Sequence, residues 1–548
     1  MRGPMEVLVS KRASIIITAG LVLAVPAAAR AQQTSDTDVA ELTRLALAQA
    51  QPAAGPTVDL TLDDVVQRAI QRNLDIAVER LTPQTYDYLL SSIESRYRPT
   101  VTSGFSNGNR VTIPNSQLTG VTDKLETGTY NWNAGISQSV PWGGGNFSVS
   151  FNNSRTDSSN AFATRNPSYD SNFQASYTQP LLRNFRIDST RTSLQTTEIS
   201  QEVSELNLQG TIATTVASVR NAYWDLLYTI RAVQVAEQSL ALASKLVNDN
   251  RQRVEIGTMA PIDVVQAQAE EATRRQTLVQ TQAARRTAEL VLKRLIVNGT
   301  TDELWPATIN PVDVPTIVEE SVDLQAAVGN ALQNRVDLKR AHKQLDSNAL
   351  SLFNLKNQTL PALDLTASYS LRGLGGTQFT RSGLGGAVTT VIPGGYLQSL
   401  QNVMNLDAPT WNVALNMSFP LGTSSADASL ARARLQERQT EAQIKSLELQ
   451  VATEVTNIVL TLRSNRERVE ASTAARELAQ QRLDAAQSKF EVGLATNFEV
   501  VQAQRDLADA QNTALRALLD YTKSLVDLER VQVTGSGGGI TAISGGGN

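Results

Sequence analysis

Hydrophobic positions along the chain keep two different rhythms. Residues 187–253 and 424–489 contain no proline and are rich in Ala, Gln, Glu and Arg. They predict helices of 67 and 66 residues, each about 100 Å long at about 1.5 Å per residue. In the second, Ile444, Leu447, Val451, Val455, Ile458, Leu462 and Val469 recur at steps of three, four and seven. That is a continuous coiled-coil-like stripe, so one face packs on other helices. Each helix runs out at a glycine, Gly257 or Gly493, a residue suited to the left-handed turn after a helix end. Pro261 fits the first position of a return helix, and Thr496 with Glu499 fits a capping box at the other. Two helical hairpins with similar tips are predicted.

Beyond Pro99 and Pro361 the period changes from about 3.6 to 2. Leu363, Leu365, Ala367 and Tyr369 alternate with polar residues, as do Trp411, Val413, Leu415 and Met417. Earlier, Val101 and Phe105, then Tyr130, Trp132, Ala134 and Ile136, then Phe147, Val149 and Phe151, then Phe173, Ala175 and Tyr177 keep the same beat. Four strands in the first half and two in the second are predicted, each with one apolar and one polar face. Val140-Pro141-Trp142-Gly143-Gly144-Gly145 reads as the turn of an extra hairpin, and Gly373 to Pro409 as an external loop. A soluble sandwich produces the same alternation as a membrane barrel. Trp132, Trp142 and Trp411, read as strand-end residues forming an interfacial girdle, tip the balance to the barrel.

The chain also resembles itself. Leu62, Val66, Ala69, Ile70, Leu74, Asp75 and Ile76 correspond to Leu324, Val328, Ala331, Leu332, Val336, Asp337 and Leu338, a constant shift of 262 that also carries Pro99 onto Pro361. Glu255-Ile256-Gly257 and Val264 to Gln268 match Glu491-Val492-Gly493 and Val500 to Gln504 at a shift of 236. An internal duplication follows. The first repeat spans 32–298, with strands in 99–180 and a hairpin tip at 257; the second spans 324–533, with strands in 361–420 and a tip at 493. Residues 299–323 link them, and a Gly-rich tail, 534–548, reads as disordered. Thr61 with Asp64, and Asp323, mark the starts of the opening helices.

Composition narrows the class. Arg2, Lys11 and Arg12, an apolar stretch from Ile15 to Val25 and Ala29-Arg30-Ala31 before Gln32 read as a cleavable secretory signal, residues 1–31. Removing it takes four of the 49 basic residues and one of the 53 acidic ones, leaving a net charge of −7, which speaks against nucleic acid as a partner. No cysteine is present, so no disulfide, thiolate metal site or N-terminal lipid attachment is expected. His342 is the single histidine, in a charged helical run. Catalysis and cofactors find no support. No stretch after the signal has 18 continuous apolar residues, so any membrane crossing uses strands, which must close on themselves; two hairpins per chain then predict a cyclic oligomer.

As an ensemble these features resemble the TolC family of outer-membrane efflux and secretion channels. The resemblance rests on the repeated helix openings, on Tyr177-Thr-Gln-Pro-Leu-Leu182 and Phe419-Pro-Leu-Gly422 at the strand exits, on Ala222-Tyr223-Trp224-Asp225-Leu226, and on the two tips. It implies an α+β membrane protein: a homotrimer with a β-barrel in the outer membrane and an α-helical barrel through the periplasm. Residues 299–323 and the termini would form an equatorial belt. It implies as partners a periplasmic adaptor, an inner-membrane transporter and outer-membrane lipid. Val492, Gly493, Leu494 and Ala495 look like the family's adaptor-docking tip, while Ile256 and Gly257 depart from it. Glu499 occupies the position of a gating acid, and three copies would form an acidic ring favouring cations; equally, it completes its helix cap. Positions of polar gate locks carry Phe490 and Ala495, whereas Asp263 is retained. The competing reading is a periplasmic adaptor, which needs one hairpin and no amphipathic strands.

Overall fold

The computed structural model describes residues 56–114, 123–315, 322–383, 386–422 and 424–534. All but Pro56 belong to a compact unit that begins at Thr57. The expected signal and nearly all of the expected disordered tail lie outside the described residues.

Strand β1 (Thr57–Leu60) leads into α1 (Leu62–Arg72) and α2 (Leu74–Glu94). Thr61 and Asp64 cap α1 reciprocally, the Asp64 amide donating to the Thr61 hydroxyl and the Thr61 amide to the Asp64 carboxylate. Four strands follow: β2 (Thr100–Thr112), β3 (Leu125–Ser139), β4 (Asn146–Ser158) and β5 (Arg165–Pro180). Next come α3 (Ser189–Glu255), 67 residues long, and α4 (Pro261–Ile296). The second half opens with β6 (Thr308–Pro311), α5 (Leu324–Asn334) and α6 (Val336–Gln358). Strand β7 (Ala362–Arg381), β8 (Val388–Ile392), α7 (Tyr396–Met404) and β9 (Pro409–Ser418) precede α8 (Ser425–Glu491), also 67 residues, and α9 (Asn497–Val531). The long helices thus fall within two residues of their predicted bounds.

The two largest apolar clusters among the described residues hold the helices, one in each half. In the first, Val65 and Ala69 of α1 meet Val219, Tyr223 and Leu226 of α3 and Leu292 and Ile296 of α4. In the second, Ala327 and Ala331 of α5 meet Val455, Val459 and Leu462 of α8 and Leu528 of α9. Val219 and Val455, Tyr223 and Val459, Leu226 and Leu462, and Leu292 and Leu528 are buried pairs 236 residues apart. In the linking segment 299–323, the described residues up to 315 carry secondary structure. Its strand β6 pairs in parallel with β1, and the Asp313 carboxylate accepts from the Leu62 amide at 2.6 Å and from the Tyr223 hydroxyl at 2.7 Å. Four-residue strands carry too few positions to reveal a period.

The large sheet has the order β2-β3-β4-β5-β7, with β8 and β9 both on the free side of β7. All pairs are antiparallel. The extra hairpin predicted at 140–145 is an ordinary member of this sheet, turning between Ser139 and Asn146. The predicted loop 373–409 is corrected: β7 runs on to Arg381, β8 folds back on it and α7 follows. The glycines at 373, 375 and 376 look like loop residues in sequence, but here they make room for a neighbouring backbone.

Candidate functional site

Register assigns every strand residue to a face. Phe105, Trp132, Asn153, Ser171 and Gly373 lie in one line of cross-strand partners, and Ile136, Val149, Ala175, Tyr369 and Trp411 in another. Because side chains alternate, these lines share one face with Phe147, Phe151, Phe173, Tyr177, Leu365, Val413, Leu415 and Met417. The other face carries Asn131, Asn133, Ser148, Ser150, Asn172, Gln174, Ser176, Thr366, Ser368, Asn412 and Asn416. Its charged pair is Arg372, whose Nε donates to Asp170 at 2.9 Å. Phe105, Trp411, Val413 and Met417 remain 60–75% exposed on the apolar face. A sandwich would bury such residues under a second sheet.

The hairpin tips are built alike. At the end of α3, Gly257 takes φ +77°; its amide donates to Val254 O at 3.0 Å and the Thr258 amide donates to Arg253 O at 2.9 Å. At the end of α8, Gly493 takes φ +80°, with Gly493 N to Phe490 O at 3.2 Å and Leu494 N to Lys489 O at 2.8 Å. These are Schellman turns, and a side chain at either glycine would be strained in the left-handed region. Pro261 starts α4 as predicted. Ile256, Val492 and Leu494 stand on the outside of the turns, each at least 70% exposed.

One turn inward, the two hairpins clasp each other. Asn250 of α3 donates to Asn497 Oδ1 at 2.9 Å, and both side-chain amides reach Asp263 O. The Arg253 guanidinium lies 4.3 Å from the Phe490 ring centroid and donates to Phe490 O at 3.1 Å. Phe490 itself is buried with Leu246, Val500 and Val501. Further up, Glu270 of α4 accepts from Arg274 at 2.7 Å and from Arg505 Nε of α9 at 3.0 Å. Its side chain is only 3% exposed. Burial pushes this carboxyl up, but hydrogen bonds and charge from Arg505 and Arg274 outweigh it and hold the group below its ordinary value.

Against known families, an outer membrane efflux protein model matches residues 146–297 and 327–532, well over half of the chain. The chain belongs to the outer membrane efflux protein family. It is therefore a member of a family of transport channels, not of enzymes. A curated relative, the toxin and drug export protein A of Aggregatibacter actinomycetemcomitans, is 24% identical over 331 residues; the match covers 60% of this chain and 66%, just under two thirds, of that protein. The fold is similar to that of the CmeC outer membrane channel of Campylobacter jejuni (TM-score 0.62, 13% identity, 86% of this chain and 85% of that one). It is also similar to the outer membrane protein VceC of Vibrio cholerae (0.59, 15%, 86% and 95%) and to the open state of the Neisseria gonorrhoeae MtrE outer membrane channel (0.58, 16%, 86% and 88%).

Within this efflux-family chain the sequence-predicted residues separate into groups. Ile256, Gly257, Val492, Gly493, Leu494 and Ala495 all lie at the tips, with Ala495 packed inward on the Phe490 cluster. Asp263 touches the other hairpin through its carbonyl. Glu499 forms only half of the expected capping box. Its amide donates to the Thr496 hydroxyl at 3.3 Å, but the reciprocal bond that closes the boxes at Thr61 and Ser424 is missing. The Glu499 carboxylate meets the Thr496 hydroxyl at 3.3 Å and is otherwise exposed. Trp142 is in the β3–β4 turn and Trp411 near the start of β9. Trp132 is not at a strand end: it stands in the middle of β3, edge-on to Tyr396. The Glu270–Arg505 bond was not legible, since sequence shows Glu270 and Arg274 as a helical i,i+4 pair but does not bring α9 beside them.

Proposed function

We propose that the chain is one protomer of a trimeric outer-membrane export duct, part of a tripartite efflux or type I secretion assembly. In this reading the signal is removed near Gln32, no lipid is attached, and the two halves are structural repeats with the bounds given above. The observation that carries it is the sheet: one face apolar across six long strands and uncovered apart from the patch under α7, the other lined by Ser, Thr, Asn and Gln. In a bilayer, strands with unpaired edges are too costly to persist. The β2 edge and the β9 edge of neighbouring protomers would therefore pair, with the polar face turned to the lumen and the apolar face to lipid.

The helical hairpins then extend through the periplasm. Exposed Ile256, Val492 and Leu494 at the tips suit docking of an apolar stripe on adaptor helices, which in turn join an inner-membrane transporter. Glu499 would line the constriction, its carboxylate left largely free by the incomplete cap, so that three copies favour cations. Asp263 and Phe490, with their partners Asn250, Asn497 and Arg253, would hold the two hairpins of a protomer together in the closed state. The presence of two hairpins and of uncovered amphipathic strands argues against the adaptor reading.

The test is direct. Purified in detergent, the protein is expected to migrate as a trimer and to conduct in planar bilayers. Recovery as a monomer in a soluble periplasmic fraction, without conductance, overturns the proposal.

A further inference from the structure

Helix α7 has no place in a plain barrel strand–loop–strand connection, and the structure fixes where it lies. Ser399 Oγ is 2.9 Å from Ser171 Oγ, and both residues are fully buried. A Cβ at Gly373 would come within 1.9 Å of Ser399 O, and one at Gly375 within 2.3 Å of Gly395 O. Tyr396 donates to Asn153 Oδ1 at 3.1 Å and packs edge-on against Trp132. Trp132, Asn153, Ser171, Gly373 and Gly375 all belong to the apolar face. The helix therefore crosses β4, β5 and β7 on the same side as Phe151, Phe173 and Leu371.

Its level on that face is also defined. Strand β9 pairs with Ala362–Leu371 of β7, and those ten residues match the roughly 9–11 that a tilted strand needs to span a bilayer. The residues that α7 covers, 373 and 375, come next, at the end of the band away from the helical hairpins. The α7 sequence, YLQSLQNVM, contains no charged residue. Leu397 and Met404, seven apart, are 67% and 81% exposed, with Leu400 partly exposed between them. Just beyond, Leu406 holds φ +60° and is 54% exposed. That left-handed turn closes the end of α7, the Leu406 amide donating to Val403 O at 3.2 Å and the Asp407 amide to Asn402 O at 3.1 Å.

We propose that α7 is an interfacial helix on the outside of the barrel, with Leu397, Leu400 and Met404 seated among the acyl chains of the outer leaflet at its water boundary. The proposal rests on the reading of the sheet's apolar face as lipid-facing. The absence of charge on the helix selects hydrocarbon rather than lipid phosphate, and its own Tyr396 with Trp132 and Tyr169 beneath it forms the side-chain set found at such a boundary.

Because the chain has no cysteine, single substitutions report cleanly. Leu397→Cys, Met404→Cys, Val413→Cys and Asn412→Cys are each labelled with a small fluorophore. In phosphatidylcholine proteoliposomes, quenching by nitroxide on the lipid acyl chain is compared with quenching by aqueous iodide. At 397 and 404 the lipid nitroxide should quench at least about threefold more than at 412, as it should at 413. Quenching at 413 by lipid but at 397 and 404 by iodide overturns the proposal and leaves the sheet reading standing. Shielding of 397 and 404 from both quenchers also overturns it, since protein then covers the helix. If 413 itself is quenched by iodide and not by lipid, the sheet reading fails and the proposal falls with it.

Discussion

Glu270 sets a nearly inaccessible carboxylate between Arg274 on its own helix and Arg505 on the other hairpin. A carboxyl whose folded-state value lies below the unfolded one adds stability above the ordinary carboxylate range, and loses it as pH falls through the folded value. The ion pair is thus fully charged at neutral pH and weakens only in acid. Glu270→Gln should lower thermal stability in detergent by about 1–3 kcal/mol at neutral pH and flatten the loss of stability on acidification; the check is the melting temperature of both proteins across pH. If the clasp restrains the tips, the same variant raises conductance in bilayers, whereas unchanged conductance assigns Glu270 to stability alone. Glu499 makes a separate prediction, because its cap does not use the carboxylate reciprocally. Glu499→Gln should keep the fold, costing under about 1 kcal/mol, yet shift the reversal potential of reconstituted channels towards lower cation preference.

In the proposed barrel, strands β7 and β9 would each meet two solvents. Val413 and Asn416 stand on the same strand, but Val413 shares its face with Leu365 and Met417 while Asn416 faces the side of Ser368 and Thr366. A charge in lipid costs about 2–4 kcal/mol near the midplane and much less in a wet lumen. Val413→Lys should therefore reduce the amount of heat-resistant oligomer recovered from outer membranes, and Asn416→Lys should leave it near the parental amount. Equal effects of the two substitutions would contradict the assignment of faces. The helical elements obey a different constraint. Helices of 67 residues persist because each buries a continuous stripe against its return helix and a short opening helix, not because of propensity alone.

For the whole molecule, the decisive feature is incompleteness. One chain supplies a sheet with two free edges and an apolar face left largely uncovered, and a helical hairpin pair with exposed leucines such as Leu435, Leu449 and Leu478 along α8. In the proposed threefold assembly, strand pairing would satisfy the edges and neighbouring protomers the helical faces. Crosslinking should then capture trimers through cysteines placed on β2 and β9, for example Thr102→Cys with Asn416→Cys, while either substitution alone gives none. Capture of dimers only, at any crosslinker length, would count against closure by three.

The sequence alone determined the kinds and order of the main elements, because a period of 2 or 3.6 sustained over many residues is a statement about which side of each element meets water. It determined the hairpin tips as well, since glycine at a left-handed turn and proline or threonine at a helix start act within a few residues. Tertiary structure decided what depends on residues far apart in the chain. The glycines of β7 look like a loop until α7 is laid against them, Trp132 looks like a strand end until its register with Asn153 is known, and the packing of Phe490 among Leu246, Val500 and Val501 has no local sign. Each of these turns on a neighbour that no local pattern names, which is why the side chains that join the two hairpins emerged only from the folded chain.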